Sequence, residues 1–488
     1  MRQPLGIPPG VRAIGTDKQN EGRWRISDLV RWPNGPDLQP IGGWRVKSTS
    51  TLTGKGRAIV TWRDNASPPV RHALIGTEQK LYAMASTGDL SDITPAGFTT
   101  GSADASASAG YGYGNYGAGA YGTARPDNGT IQPASMWTLD TFGQYPVGCM
   151  EDDGKLYIWD LVNANPATAI TNAPTGCNAV VVTEEKFVVA IKDRAIEWSD
   201  QADETTWTPA ATNQAGDLDL ETRSALICGL SVRGQTLLFS QTETFAMTYL
   251  GGVFVYGVQR VGEVGAVSKG CAVAFNGMAV WMGRGGFYTY NGGAVSDMPC
   301  EVADYVFADI NDLQLSKVAA WHNVEFGEIW WHYPSSASSE NDRAVAWNYR
   351  NGTWATHEII RYSGAMRGVF LYPLLVANYV YEHEAGLDYG STVPYARTAP
   401  IQLGAGDNVY TIDEVIGDER VMGQAEVVFY GKDSPQGTET TFATVSLATQ
   451  PAYCRFTARQ FEMQVNFPTR ADSRAGVITI GMKPRGRR

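Results

Sequence analysis

The sequence lacks the residue patterns that most nucleotide-binding and hydrolytic enzymes carry. Its 488 residues include only five histidines, and no GxxxxGK[ST], HExxH or GxSxG motif is present. These absences remove the common P-loop, zinc-protease and hydrolase assignments. No run of about 20 apolar residues occurs either, so we expect no helix that spans a membrane.

Cysteine is sparse and poorly placed for metal binding or for a disulfide framework. The six cysteines lie far apart without a CxxC pair, and the first residues, MRQPLGIPPGVR, lack the apolar core of a signal peptide. We therefore expect buried free thiols and folding in a cytoplasm. The sequence predicts no cofactor and no metal site.

Charge is divided unevenly along a chain whose net charge is −11. Residues 1–63 hold 11 Lys and Arg against 4 Asp and Glu, and residues 466–488 hold 6 against 1. The remaining residues, 64–465, carry a net charge of −23. A general nucleic-acid-binding protein concentrates cations along one face, so this distribution argues against one. The basic ends either contact neighbouring subunits or are solvated.

The abundant residues are those of β-structure. The chain has 54 Gly, 23 Tyr and 14 Trp, and Asn276-Gly277, Asn291-Gly292 and Asn351-Gly352 are tight-hairpin signals between alternating apolar runs. The strand pairs recur every ~40–50 residues, the spacing of propeller blades. We predict an all-β fold, a β-propeller of six to eight blades with seven favoured. A pair of β-sandwich domains is the alternative.

Changes in composition and in the alternation of apolar residues suggest three regions. Residues 1–56 form an N-terminal extension that could close the propeller with one strand, and residues 57–397 form the propeller. Residues 398–488 alternate cleanly and predict a C-terminal antiparallel β-sheet or sandwich with a basic tail. Short helices are expected only within residues 301–318.

A Gly/Tyr-rich stretch, residues 101–126, interrupts the strand pattern and has too few bulky aliphatic residues to form a core. One interpretation is a flexible surface loop. The other is a contact loop in which Tyr111, Tyr113, Tyr116 and Tyr121 bind a subunit or partner. Its two GxGxxG matches lack the flanking strand and helix that dinucleotide binding requires, so we treat them as chance.

Several residues suggest metal or glycan chemistry but have simpler explanations. Glu382-His383-Glu384 contains metal-ligand residue types, yet a single His between carboxylates is more typical of a solvated strand end. His322 and His332 flank a predicted hairpin and are expected to meet across it, in a core or interface role.

Two aromatic motifs give little support to a propeller that binds or cleaves glycans. Residues 199–207, SDQADETTW, compare with the Asp-box of propeller sialidases but lack its glycine. Trp330-Trp331 would be the first pair to inspect in a glycan site, although a pair of core and hairpin aromatics is the simpler interpretation.

The most informative block is residues 20–44, in which arginines alternate with Trp24, Trp32 and Trp44 around glycine turns. Pattern alone predicts strand–turn–strand. Three further blocks follow in order: GAGAYG (117–122), MWTLDTFG with GKLYIWD (136–160) and IEWSDQADETTW (196–207). Together they resemble the tail nozzle (tail hub, tail tubular) proteins of short-tailed, podovirus-type bacteriophages. QYPV (144–147) departs from that pattern. Beyond residue 207 the chain shares with those proteins only a general pattern of short alternating strands.

The resemblance implies a structural virion protein rather than an enzyme. Such a subunit would form a ring, expected to be a homo-hexamer, below the tail adaptor protein, with tail fibre or needle proteins as further partners. Viral double-stranded DNA would pass through the channel without specific binding and leave on ejection. Its location would be the virion tail, after assembly in the host bacterial cytoplasm.

The alternative is a propeller glycan-binding protein or glycoside hydrolase associated with a phage. It predicts a pocket at the propeller axis lined by carboxylates and Trp. The 50 acidic residues allow too many pairs to nominate catalytic ones from the sequence.

Overall fold

The computed structural model describes residues 1–107, 131–252, 254–403, 408–431 and 438–486. These residues are almost entirely strands and turns. The helical pieces within them are an α-helix, Ala303–Phe307, and two 3₁₀ helices, Asp17–Asn20 and Asp312–Lys317. In this described part, no helix has the length and hydropathy to cross a membrane.

Seven antiparallel four-stranded sheets form successive blades between residues 44 and 383. Blade 1 consists of Ala58–Arg63, Arg71–Gly76, Leu81–Ala85 and Leu90–Asp92. Blade 2 consists of Trp137–Phe142, Tyr145–Met150, Leu156–Ile158 and Thr168–Ala169. Blade 3 consists of Ala179–Val182, Val188–Lys192, Ala195–Trp198 and Gly216–Asp219. Blade 4 consists of Leu226–Val232, Gln235–Ser240, Thr244–Tyr249 and Tyr256–Gly262.

The remaining blades follow the same pattern until the last. Blade 5 consists of Ala272–Phe275, Met278–Gly283, Gly286–Tyr290 and Val295–Met298. Blade 6 consists of Ala319–Asn323, Glu328–Tyr333, Arg343–Asn348 and Trp354–His357. Blade 7 has Ser363–Ala365, Leu374–Val376 and Val380–His383, and takes its outer strand, Trp44–Val46, from the N-terminal region.

The first strands of the blades form a closed ring, because each contacts the first strand of the next blade and that of blade 7 contacts that of blade 1. The predicted seven-bladed β-propeller is therefore confirmed, and the paired-sandwich alternative is wrong. Local chemistry explains the regular hairpins. Asn276 and Gly277 connect two strands of blade 5 with φ values of 50° and 81°, the left-handed conformations that a two-residue turn requires.

Two further sheets form a β-sandwich beside blade 6. One contains Arg2–Leu5, Ile478–Gly486, Val409–Ile416 and Ala452–Ala458. The other contains Trp24–Asp28, Tyr395–Thr398, Gln460–Asn466, Glu426–Gly431 and Thr440–Ser446, with Ile401–Gln402 added against Gln460–Asn466. Phe456 of the first sheet packs on Phe429 and Phe461 of the second, with the Phe456 and Phe429 ring centroids 5.0 Å apart.

The N-terminal residues are therefore distributed over both modules instead of forming a separate extension. Two of their strands complete the sandwich and a third completes blade 7, while Val30–Arg31 pairs with Gln39–Pro40. The expected boundary after residue 397 falls inside Tyr395–Thr398, which pairs with Gln460–Asn466.

A polar seam joins the two modules. Ser27 in the sandwich and Thr356 in the outer strand of blade 6 exchange backbone and hydroxyl hydrogen bonds of 2.7–3.0 Å. Beside them Arg31 lies fully buried against two carboxylates, with 2.8 Å between Nε and Glu328 Oε1 and a second ion pair to Glu384. Burial lowers the pKa of Arg31, but both carboxylates outweigh it and the net pKa is raised.

The cysteines are free, as expected. Cys149, Cys177, Cys228 and Cys271 are buried, whereas Cys300 and Cys454 are partly buried. Burial raises the pKa of Cys300 to about 12 and that of Cys454 to about 11. Thiols protonated in this way are poor nucleophiles and metal ligands at neutral pH.

Candidate functional site at the base of the Gly/Tyr segment

The first strand of every blade begins at the same face of the ring, which we call the upper face; the opposite one is the lower face. Residues 99–107, which include the start of the Gly/Tyr-rich stretch 101–126 (here the Gly/Tyr segment), lie on the upper face. Thr99 N donates to Asp153 Oδ1 at 2.9 Å, and Gly101 N donates to the Glu78 carbonyl at 2.8 Å. Ser102 N donates to Ser135 Oγ at 2.6 Å. This end of the segment is thus tied to blades 1 and 2.

The same segment then reaches blade 6. The Gln314 side-chain amide makes two hydrogen bonds to the Ala105 backbone, of 3.0 and 3.1 Å, and both residues are buried. Blades 2 and 6 are three positions apart in the closed ring of seven. A chain that contacts the starts of both therefore crosses the upper mouth of the axial channel.

A buried ion cluster fixes this crossing. Lys317 has a side-chain exposure of only 1%, and its Nζ lies 2.5 Å from Asp104 Oδ1 and 3.1 Å from Glu340 Oε1. Arg57, also buried, lies 2.5 Å from Glu340 Oε1 and donates to the Ala103 carbonyl. Because a buried cation without partners is costly, these contacts hold residues 103–105 in place.

The Asp104 carboxylate is the most exposed member of this cluster, at 54%, while Glu340 is partly exposed at 19%. Its hydrogen bond to Lys317 lowers its pKa below the usual value, helped by the charges of Lys317 and Arg57. The ionised form is therefore favoured in the folded protein. Its contribution to stability is present above the ordinary carboxyl pKa and is lost as the pH falls through the lowered one.

A second lysine closes the mouth from another direction. Lys269, at the start of blade 5, has a buried side chain whose Nζ lies 2.9 Å from Glu151 Oε2 of blade 2. It also donates to the Asn178 carbonyl at the start of blade 3. Blades 5 and 2 are again three positions apart. Lys269 and residues 101–105 therefore both lie at the upper mouth of the axial channel.

Both described ends of the Gly/Tyr segment meet in a short ribbon. Ser106 pairs with Gln132, and Ala107 pairs with Ile131. The predicted contact residues Tyr111, Tyr113, Tyr116 and Tyr121 lie outside the described residues. Residues 101–107 are not the flexible surface loop that composition suggested, since buried partners on blades 1, 2 and 6 hold them.

The two tryptophans considered for a glycan site are core residues. Trp331 is fully buried, and its ring centroid lies 4.8 Å from that of Phe287. Trp330 is 3% exposed and stacks on His357 with centroids 4.1 Å apart. Neither presents a ring face to a ligand, so the simpler interpretation of this pair is confirmed.

His322 and His332 do not face each other across their hairpin. His332 pairs with Ala319 and His322 with Ile329, because the hairpin is centred between Glu325 and Phe326 and not midway between the two histidines. His332 Nε2 accepts from Trp321 Nε1 at 3.1 Å, and burial lowers the pKa of His332 to about 3. His322 contacts the Tyr349 hydroxyl at 3.1 Å. The core role expected for His332 holds, but the cross-strand contact was wrong.

Glu382-His383-Glu384 is neither a metal site nor a solvated strand end. Alternation along the strand sends the three side chains to different partners: Glu382 pairs with Arg45, Glu384 with Arg31, and His383 Nε2 accepts from Arg361 Nε at 2.8 Å. Burial and the Arg361 charge hold the pKa of His383 well below its usual value. Over the described ranges no cluster of metal-ligand side chains is found.

The segment 199–207 forms a turn that is held by its own side chains and by bonds to the neighbouring hairpin, such as that from Ala202 N to the Lys186 carbonyl. Asp203 accepts from the backbone and hydroxyl of Thr205 and from the Thr206 hydroxyl at 2.7–2.9 Å, and these bonds lower its pKa. Trp207 Nε1 donates to the Glu204 carbonyl at 2.7 Å. Its polar groups are therefore used to build the turn.

A cleft of about 510 Å³ lies where the sandwich meets the N-terminal region and the helix Ala303–Phe307. Arg25 and Arg397 line it, but Arg25 lies 3.1 Å from Asp17, and Arg397 lies 2.5 Å from Glu462. Its cations are thus paired within the protein. Its lining residues come from the N-terminal region, residues 304–308 and the sandwich, and not from the blade strands around the axis where the glycan hypothesis expected a pocket.

No family model and no curated protein matches the chain. Among solved structures it is similar to a streptogramin B lyase, with 8% identity, a TM-score of 0.40, and coverage of 68% of this chain and 95% of that one. It is similar to virginiamycin B lyase from Staphylococcus aureus, with 7% identity, a TM-score of 0.39, and 67% and 98% coverage. It is also similar to YCF48 bound to D1 peptide, with 10% identity, a TM-score of 0.40, and 72% and 99% coverage. Likeness at this level implies no shared activity.

Proposed function

We propose that this chain is the tail nozzle subunit of a short-tailed bacteriophage, a structural protein without covalent chemistry. In this role it forms a ring, expected to be a hexamer, that extends the tail channel below the adaptor protein. The ring retains packaged DNA and lets it pass on ejection. Tail fibre or needle proteins are further partners, and the site of action is the virion.

The observation that carries the proposal is the way the Gly/Tyr segment is mounted. Its described base crosses the upper mouth of the propeller and is fixed by the buried Lys317 and Gln314 contacts. The residues between the two ends are glycine- and tyrosine-rich and cannot form a core. A contact segment on a rigid base loses less entropy on binding than one on a mobile base, which suits a subunit that must assemble in one geometry.

Charge and sequence order support the same role. Residues 64–465 carry a net charge of −23, and an acidic channel wall would repel DNA phosphates and let the duplex slide. The four blocks that resemble nozzle proteins occur in the same order along the chain. Neither observation involves a catalytic residue.

The first test is immunogold electron microscopy of particles from lysates of the source organism or its phage. We expect gold at the tail tip of short-tailed particles. Antigen found only in the soluble fraction, beside unlabelled particles, would exclude the nozzle role.

The second test replaces residues 108–130 with a short Gly-Ser linker. Trimming residues 103–122, the cut that composition suggests, would also remove Asp104 and Ala105 and so expose Lys317 and Gln314. The shorter deletion keeps this base, so we expect an unchanged melting temperature but strongly reduced particle assembly. A full-length variant with Tyr111, Tyr113, Tyr116 and Tyr121 changed to Ser is the matched control that separates tyrosine contacts from segment length. Normal infectivity in both variants would refute a contact role.

The glycan alternative keeps no specific structural support, since Trp330 and Trp331 are buried and Lys269 spans the axial mouth. A glycan array and a panel of aryl-glycosides would still detect it. Binding or turnover there, with no tail labelling, would reverse the assignment.

A further inference from the structure

The lower face of the propeller exposes apolar side chains along four consecutive blades. Val324, Met366, Leu371, Val70 and Tyr145, in the first turns of blades 6, 7, 1 and 2, are between 38% and 59% exposed.

Direct contacts connect these turns into one surface. Arg367 pairs with Glu325, Arg63 Nη2 donates to the Gly368 carbonyl at 3.4 Å, and Asn65 N donates to Gln144 Oε1 at 3.2 Å. Each of these contacts joins neighbouring blades.

This surface, which we call the basic arc, also carries the exposed arginines 63, 71, 350 and 367. Arg63 and Arg71 are directly opposite each other in the antiparallel register of blade 1. Like charges in that position destabilise a sheet. The neighbouring Asp64 is already engaged, with Oδ2 3.0 Å from His72 Nε2 and Oδ1 accepting from Val70 N at 2.7 Å. The positive charge of Arg63 and Arg71 is therefore available to a binding partner.

Blade 3 shows the opposite arrangement. Glu197 and Asp217 are directly opposite each other on its two outer strands, and Lys192 approaches Glu197 only to 3.9 Å. The exposed Glu184 and the partly exposed Glu204 lie in turns at the lower edge of the same blade. We call these four carboxylates the acidic patch.

An apolar hairpin tip stands beside the acidic patch. Leu250 and Phe254 of blade 4 are 62% and 77% exposed. The tip is tied to blade 3 by the Tyr249 hydroxyl, 3.5 Å from Gln214 Oε1. Each of the two surfaces therefore joins a cross-strand pair of like charges to exposed apolar side chains.

We propose that the basic arc of one copy of this chain docks on the acidic patch and the Leu250–Phe254 tip of another. The arc is centred on blades 7 and 1 and the patch lies on blade 3, so the contact joins two different surfaces and propagates head to tail. A closed ring forms when the rotation between neighbouring copies closes, which is what the proposed nozzle requires. Opposite charge fixes the register, and apolar burial contributes the affinity. The ring itself rests on the proposed nozzle function, whereas the two surfaces come from the geometry alone.

A charge swap tests this pairing on the purified full-length chain. One variant carries Arg63→Glu and Arg71→Glu, and the other carries Glu197→Arg and Asp217→Arg. Each variant alone would place like charges across every contact, so we expect loss of the ring, measured by sedimentation velocity at low salt. An equimolar mixture restores opposite charge at every contact of an alternating ring, so we expect the large species to return.

The matched control is Arg455→Glu with Arg459→Glu, which reverses two exposed arginines of the sandwich and should leave the ring intact. Circular dichroism and the melting temperature confirm folding of every variant. A ring that both swap variants still form would refute these surfaces while leaving the ring in place. A wild-type chain that stays monomeric even at about 100 μM in low salt, where attraction between exposed charges is least screened, would refute self-docking. The nozzle role would then be judged by the immunogold result, which does not depend on self-association in solution.

Discussion

The two faces of the propeller use cations in opposite ways. On the upper face, Lys317 and Lys269 are buried, and each lies within 3.1 Å of a carboxylate from another part of the chain. On the lower face, Arg63 and Arg71 are exposed and face each other. Lys317 fastens residues 103–105 to blade 6 and Lys269 links blade 5 to blades 2 and 3, whereas the lower arginines add repulsion to a hairpin.

The buried lysines of the upper face stabilise the fold, whereas the exposed arginines of the lower face belong to the docking surface proposed above. A buried cation with good partners is very sensitive to removal, because the remaining carboxylates lose their counter-charge. An exposed pair of like charges weakens the fold slightly and can be removed at a gain. Stability measurements should therefore respond with opposite signs at the two faces.

The largest effect is expected for Lys317→Met. The change leaves Asp104 and Glu340 without this cation and loosens the base of the Gly/Tyr segment, so we expect a loss of about 3 kcal/mol in the free energy of unfolding. Urea denaturation at pH 7 measures it. Lys155→Met is the matched control, because its side chain is 42% exposed and its ion pair to Asp153 is 3.6 Å long; we expect a change within about 0.5 kcal/mol. Equal losses in both variants would show that the burial of Lys317 is not the cause of the loss.

An intermediate effect is expected at Asp28, a buried carboxyl in the seam between the sandwich and blade 6. Burial raises its pKa to about 7, with the Glu358 charge adding to the shift. A raised pKa means that stability is greatest below the ordinary carboxyl pKa and is lost as the pH rises through about 7.

Asp28→Asn keeps the acceptor for Glu358 N, a hydrogen bond of 2.8 Å, and removes the ionisation. We expect the variant to be more stable than the parent at pH 8, by an amount on the order of 1–3 kcal/mol, and little different at pH 4. Thermal unfolding across this pH range measures the difference. A gain that does not vary with pH would show that ionisation of Asp28 is not its cause.

The smallest effect, and the one of opposite sign, is expected for Arg71→Glu. The change converts the cross-strand Arg63–Arg71 repulsion into attraction, so we expect a gain of about 0.5 kcal/mol at low salt. The gain should disappear at about 1 M salt, where surface charges are screened. Arg71→Gln should give about half of it. A loss of stability in Arg71→Glu at low salt would mean that Arg71 has a folding role.

Much of the propeller could be predicted because its signals are local. Asn-Gly pairs and alternating runs mark hairpins within a few residues, and Asn276-Gly277 adopts the turn that its composition indicates. The sequence suggested that an N-terminal strand could close the propeller, but it did not show which strand would do so. The partner of Trp24–Asp28 could not be predicted, since its pairing strand lies more than 300 residues away. Alternation shows that a strand exists but not which edge it joins.

The candidate site was predictable only in part, for the same physical reason. Composition separates residues 101–126 from the surrounding strands, but nothing in it shows that Asp104 and Ala105 bind Lys317 and Gln314. Arg31 belongs to the Arg/Trp block, yet its two carboxylates are among 50 acidic residues. A signal for such burial would need pairs of positions that vary together among homologues.

The strand Trp44–Val46 ties an early stretch of the chain to a very late one. Trp44–Val46 has no partner strand until residue 383 has been synthesised, and Arg2–Leu5 has none until Ile478–Gly486 has been synthesised. During translation the N-terminal residues must therefore wait, unpaired, while the blades between them form. Such distant pairing slows the final step of folding. A product truncated before residue 383 can therefore complete neither blade 7 nor the sandwich, and one truncated before residue 478 cannot pair Arg2–Leu5.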